Sequence, residues 1–136
     1  DFGTAANPYS VSIGDLDGDG KPDLAVANYG SNSVSVLRNT STSGSIAAGS
    51  FADRVDFATG NLPISVAIGD LDGDAKPDLA VSNYDGPNTV SVLRNTSTSG
   101  SIAAGSFAAK VDFGTGAFPH FVSIGDLDGD GKPDLA

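Results

Sequence analysis

Residues 10–28, SVSIGDLDGDGKPDLAVAN, decide how the chain is read. Asp15, Asp17, Asp19 and Asp23 stand at positions 1, 3, 5 and 9 of a short loop, and the pattern returns as DLDGDAKPD at 70–78 and DLDGDGKPD at 126–134. Calcium is a hard cation that takes about six to eight oxygens at roughly 2.3–2.6 Å, and a short coiled loop can wrap them around one point. The candidate ligands are the carboxylates of Asp15, Asp17, Asp19 and Asp23, of Asp70, Asp72, Asp74 and Asp78, and of Asp126, Asp128, Asp130 and Asp134. The backbone carbonyls of Lys21, Lys76 and Lys132 complete the protein's share of up to three Ca2+ sites. Position 6 calls for a sharp turn, which Gly20 and Gly131 suit. Ala75 replaces them in the middle copy. If it takes the same left-handed conformation it costs on the order of 1 kcal/mol, which would make the middle site the weakest.

Acidic turns without a metal are the bland alternative, because Asp and Gly favour turns and charge runs are usually solvated. The distribution of charge argues against them. All 17 acidic residues are Asp, and twelve of them lie in the three loops, where they repel one another unless a cation sits among them. A helical calcium motif is also disfavoured, since an EF-hand needs flanking helices and a bidentate Glu at position 12. Position 12 is Val26 or Val81, and the flanks SVSIGD and DLAVAN alternate with the period of two expected of strands. The metal loop is therefore placed in a β-hairpin connection.

With 136 residues and 39% hydrophobic content the chain can bury one modest core. Glycine is high, aromatics are few, and Gly, Ser, Asn and Thr crowd the junctions between short apolar runs, which points to an all-β protein. A net charge of −10 with seven basic residues argues against nucleic acid as a partner. Three divalent ions would bring the charge from −10 to −4, so most of it belongs to the metal loops. No cysteine is present, which leaves metal as the available staple. No apolar run approaches the length of a membrane span, and no signal peptide is seen. Calcium loops of weak to moderate affinity fill where calcium is plentiful, which places the chain outside the cell, secreted or at the cell surface.

The loops mark a repeat of about 55 residues: Asp15 aligns with Asp70 and Asp126, and Phe2 with Phe57 and Phe113. Residues 34–52, VSVLRNTSTSGSIAAGSFA, recur unchanged at 90–108. Each unit reads as four strands, in the first roughly Tyr9–Gly14, Asp23–Asn28, Ser33–Arg38 and Phe51–Phe57. Four short antiparallel strands per repeat suggest a propeller blade, which hides both faces by stacking on its neighbours. Residues 1–8 read as the end of a preceding blade's last strand and a linker, 9–57 and 64–113 as blades, and 121–136 as the first half of a third. Such an open stack of about two and a half blades is expected to be part of a longer polypeptide, with closure by several copies as the second route.

These residues resemble the FG-GAP repeat, also called VCBS or integrin-alpha-like, of calcium-binding, cell-adhesion propellers of the seven-bladed type. Phe113-Gly114-Thr115-Gly116-Ala117-Phe118-Pro119 nearly spells the family's name, Phe2-Gly3 keeps its start and Phe57-Ala58-Thr59-Gly60 keeps part of it. The resemblance implies that the Asp-rich loops are the family's calcium sites. It also implies that ligand contacts lie on the opposite face, in loops 3–8, 58–63, 114–120, Asn28–Asn32 and Asn83–Asn88, which carry Tyr29, Tyr84, Phe118 and His120.

The function expected is an extracellular, calcium-stabilised module for binding, adhesion or scaffolding, with a protein or a glycan as the candidate ligand. A non-catalytic accessory or carbohydrate-binding domain of a secreted enzyme, or a spacer repeat in a giant surface protein or filament, is the alternative. Catalysis by the chain itself is not expected, since there is one histidine, no cysteine, and most carboxylates are assigned to metal. Asn39-Thr40-Ser41 and Asn95-Thr96-Ser97 form glycosylation sequons, in a NTSTSGSIAAGS segment that otherwise reads as a flexible outer-rim connection.

Overall fold

The computed structural model describes residues 1–136 and contains strands only. Strands β1 (Pro8–Gly14), β2 (Asp23–Asn28), β3 (Ser33–Leu37) and β4 (Val55–Ala58) form one antiparallel sheet in chain order. Strands β5 (Pro63–Gly69), β6 (Asp78–Asn83), β7 (Thr89–Leu93) and β8 (Val111–Gly114) repeat it, and β9 (Ile124–Gly125) pairs with β10 (Asp134–Leu135). The Asp-rich segments join β1 to β2, β5 to β6 and β9 to β10, all at one end of the sheets. These four-stranded meanders are propeller blades.

Alternation along each strand assigns its two faces. In the first blade Ala25, Ala27, Val34 and Val36 turn toward the second, where they meet Val66, Leu79, Val81 and Leu93 in a shared core with Leu16, Phe57 and Phe107. Small residues on the receiving face let bulky ones on the incoming face approach closely: a Cβ added to Gly14 would lie 3.0 Å from the Ile68 Cγ2. A second cluster, Ala80, Val90 and Val122, continues the stack beyond the second blade. Burying most of a Val or Leu side chain contributes roughly 1.5–3 kcal/mol, so the seam between the sheets holds the chain together.

The other residues of β3 and β7 build a polar ladder. Asn28 Nδ2 donates to Ser33 Oγ at 3.3 Å and Ser35 Oγ at 2.9 Å, and Ser35 Oγ donates on to Asp56. In the second blade Asn83 Nδ2 donates to Thr89 Oγ1 at 3.1 Å and Ser91 Oγ at 2.8 Å, and Ser91 donates to Asp112. The ladder lets every residue of Ser33–Leu37 be buried although two are serines.

Two expectations need correction. The fourth strand begins at Val55, not Phe51, which makes only an isolated bridge with Asn39. Phe51 instead packs edge-on against Phe2, with ring centroids 4.8 Å apart, as Phe107 does against Phe57 at 4.9 Å. The segment read as a flexible connection is tied down: Thr40 N donates to Ser50 O and Thr96 N to Ser106 O, both at 2.8 Å. Ser50 and Ser106 Oγ accept from Ala47 N and Ala103 N in turn, at 2.7 and 2.8 Å. Identical sequence makes identical local bonds in both copies.

Gly60 leads into the second blade, and a Cβ there would fall 2.6 Å from Asn83 Cγ, inside the ladder. Gly60→Ala is expected to destabilise the protein by about 1–3 kcal/mol. Gly49→Ala, where a Cβ would have no neighbour within 4 Å, should be neutral or slightly stabilising. Denaturant titration of both variants checks this.

Candidate metal centre

Each Asp-rich loop is coiled by its own carboxylates. In the first, Asp15 Oδ1 accepts from Asp19 N at 3.1 Å and its Oδ2 from Gly20 N at 2.9 Å, while Asp19 Oδ1 accepts from Lys21 N at 2.9 Å. The same bonds form in the second loop from Asp74 N and Ala75 N to Asp70, and from Lys76 N to Asp74. In the third, Gly131 N donates to Asp126 and Lys132 N to Asp130. The position-1 aspartate thus pulls the chain around itself, and the short Asp side chain is the one that reaches.

Coiling gathers three carboxylates in every copy. Oxygens of Asp15, Asp17 and Asp19, of Asp70, Asp72 and Asp78, and of Asp126, Asp128 and Asp134 lie within 4.8 Å of one another. The remaining aspartates have other bonds. Asp23 stands apart from the first cluster and accepts from Leu16 N at 2.9 Å and Asn39 N at 2.7 Å, closing the loop and anchoring the end of β3. Asp78 accepts the equivalent bonds from Leu71 N and Asn95 N yet keeps an oxygen near its cluster. Asp74 and Asp130 cap the amides of Lys76 and Lys132. The carbonyls of Lys21, Lys76 and Lys132 accept none of the loop or turn backbone bonds.

Asp17 is the informative residue. It is only 2% exposed, and its Oδ2 has no hydrogen-bond partner, with Arg38 Nε 4.0 Å away. Burial pushes its carboxyl above the usual carboxylate range, and the neighbouring charges of Asp19 and Asp15 push the same way, against the Asp19 amide and the Arg38 charge that lower it. Burial likewise raises Asp23 and Asp78, against the backbone amides that lower them. An unpartnered anionic oxygen facing two other carboxylates is a poor arrangement for an isolated protein and a good one for a hard cation. The residues present therefore fit calcium, by oxygen-only donors, by charge and by the orphaned oxygen.

At the opposite end of the blades, loops of adjacent blades are stitched together. Leu62 N donates to Asn32 Oδ1 at 2.9 Å and Phe118 N to Asn88 Oδ1 at 3.0 Å. Leu62 and Phe118 both have φ above +50°, a conformation uncommon for bulky side chains and held here by the asparagines. Tyr84 stands beside Phe118 and His120, with ring centroids 5.3 and 5.1 Å away, and His120 is next to an exposed Phe121. Tyr29 stacks on Tyr9 instead, at 6.0 Å. Sequence reasoning missed Tyr9, Phe121 and the two asparagine clamps, although Asn32 and Asn88 recur at matching positions.

The sequons are structural. Asn95 is fully buried and Asn39 nearly so, and their amide nitrogens donate to Pro77 O and Pro22 O at 2.8 and 2.9 Å. Asn95 Nδ2 uses both its hydrogens, donating to Leu16 O as well, so a glycan there would cost one of its bonds.

Ala75 has φ +67°, against +86° and +84° at Gly20 and Gly131. Ala75→Gly should therefore stabilise the protein by about 1 kcal/mol and strengthen calcium binding at 70–78, with binding at the other two loops unchanged. Thermal unfolding with a site-resolved calcium titration checks both.

A family model described as an FG-GAP-like repeat matches the chain twice, over residues 15–81 and 71–136. Neither curated proteins nor solved structures gave a match. Each matched span starts in or just before one Asp-rich loop and reaches the β-strand after the next, so the match follows the repeat that coils the carboxylates. With both halves covered, the chain belongs to the FG-GAP-like repeat family.

Proposed function

We propose that the chain is an extracellular, calcium-stabilised β-propeller module that serves binding, adhesion or scaffolding and carries out no catalysis. The observation that carries this reading is the buried, unpartnered Oδ2 of Asp17 within a three-carboxylate cluster. Asp15, Asp17 and Asp19 with the Lys21 carbonyl would hold the first ion, and Asp23 fixes the loop that presents them. Asp70, Asp72 and Asp78 with Lys76 O, and Asp126, Asp128 and Asp134 with Lys132 O, would hold the others, with Asp74 and Asp130 alongside. The ion's contribution is charge neutralisation and a crosslink between successive strands, which couples metal binding to folding. Millimolar calcium outside the cell suits exposed loops of this kind. No helix is long and apolar enough to cross a membrane.

Further blades are the partner that the free faces fit. Val11 and Ile13 are 58% and 66% exposed, whereas their counterparts Val66 and Ile68 are covered by the first blade. Another blade of the same kind, from the same polypeptide or another copy, would cover them in the same register. The aromatic cluster of Tyr84, Phe118, His120 and Phe121 favours a protein or glycan ligand on the loop face, with Tyr29 in the corresponding place one blade earlier. A spacer role draws on the identity of 34–52 and 90–108, but bonds made by that block give its identity a local cause.

Thermal unfolding in millimolar calcium and in excess chelator tests the reading. Free calcium at about 100 times Kd adds roughly 2.7 kcal/mol for one site, and a rise in midpoint of about 5–15 °C is expected. Equal midpoints would mean that the loops are acidic turns.

A further inference from the structure

The segment Asn95–Gly100 of the second blade grips the metal loop of the first. Asn95 Nδ2 and Ser97 Oγ both donate to Leu16 O, at 2.8 and 3.1 Å. Gly100 N donates to Asp17 O and Ser99 Oγ to Gly18 O, both at 3.0 Å. Three consecutive carbonyls, on either side of the orphaned Asp17 carboxylate and on Asp17 itself, are thus fixed by a neighbouring blade. Lys76 Nζ donates to Ser97 O at 3.0 Å, which ties the next metal loop to the same segment.

Burial follows this grip. Leu16 is 1% exposed, whereas Leu127, the matching residue of the third loop, is 67% exposed. Asp17 is buried, and its counterparts Asp72 and Asp128 are exposed. The identical block at 39–44 has the same hydroxyls, but Ser41 is only half-buried and Ser43 is exposed, and neither side chain bonds a metal loop.

From these contacts we infer that Ser97 and Ser99 are positioning residues for the calcium site at 15–23, so that each blade's Asn-Thr-Ser-Thr-Ser strap sets the affinity of the blade before it. The strap orders the loop before the ion arrives, and an ion in the loop must in turn tighten the strap, because such coupling is reciprocal. This inference rests on the calcium reading above. It adds that sites of identical sequence differ in affinity according to whether a neighbouring strap holds them.

The test is a calcium titration of the full chain followed at the amides of Gly20, Ala75 and Gly131, each of which donates to the position-1 aspartate of its own loop. Ser97→Ala with Ser99→Ala should weaken binding at 15–23 by about tenfold and leave 126–134 within about twofold. Ser41→Ala with Ser43→Ala should leave all three loops unchanged, and Ser97→Thr with Ser99→Thr should restore most of the loss. Calcium should also slow hydrogen exchange at Gly100 N. Should the double variant unfold, Ser99→Ala alone keeps the comparison, since that side chain is exposed. Unchanged affinity at 15–23, equal losses in all three loops, or the same loss from the Ser41 and Ser43 variant would overturn the inference while leaving the calcium reading intact. Absence of calcium binding in every loop would overturn both.

Discussion

Like charge held at close quarters is the constraint on which the rest depends. Three carboxylates are brought within 4.8 Å of one another at each hairpin, and in the first loop one of them is withdrawn from water. Backbone amides from the loop relieve part of the repulsion, but they point at Asp15, Asp19 and one oxygen of Asp17, leaving the other without a hydrogen bond and with the Arg38 guanidinium 4.0 Å away. One guanidinium at that distance offsets part of the burial and repulsion that disfavour the charged form, and a metal ion would offset more. The hairpin, the strand pair that it joins and the seam that buries Leu16 all meet at this cluster.

The blades add a second constraint, geometric rather than electrostatic. A sheet of four short strands cannot cover two apolar faces by itself, and the Ala-rich receiving face of β2 against the Ile and Val of β5 resolves that by stacking. Buried polar side chains are tied into a ladder, from Asn28 through Ser35 to Asp56, although Asn28 Oδ1, Asn83 Oδ1 and Ser82 Oγ are left without a partner. Stability is then largely a property of neighbouring pairs of blades.

Much of this was legible in the residues. Period-two alternation around DLDGDGKPD gave β1 and β2 nearly to the residue, and of the four aspartates named in each loop the fold gathers three, positions 1, 3 and 5 in the first and 1, 3 and 9 in the others. The left-handed turn at Ala75 was also legible, from its alignment with two glycines. What escaped depends on residues far apart in sequence. The start of β4 is displaced because Phe51 answers to Phe2, and the Ser/Thr segment looked featureless because its partner, the loop at 15–23, lies some 80 residues earlier. Asp23 was read as a ligand like the others, and only the folded chain reveals the two amides that it accepts.

The strap of the second blade reaches backward, to the loop of the blade before it. An array built this way has a direction even though its units are alike. A loop that no strap holds is less buried, as Leu127 is beside Leu16. On the calcium reading proposed above, loss of the ion would free the unstrapped loops before the strapped one, and a protease would find its first cuts there.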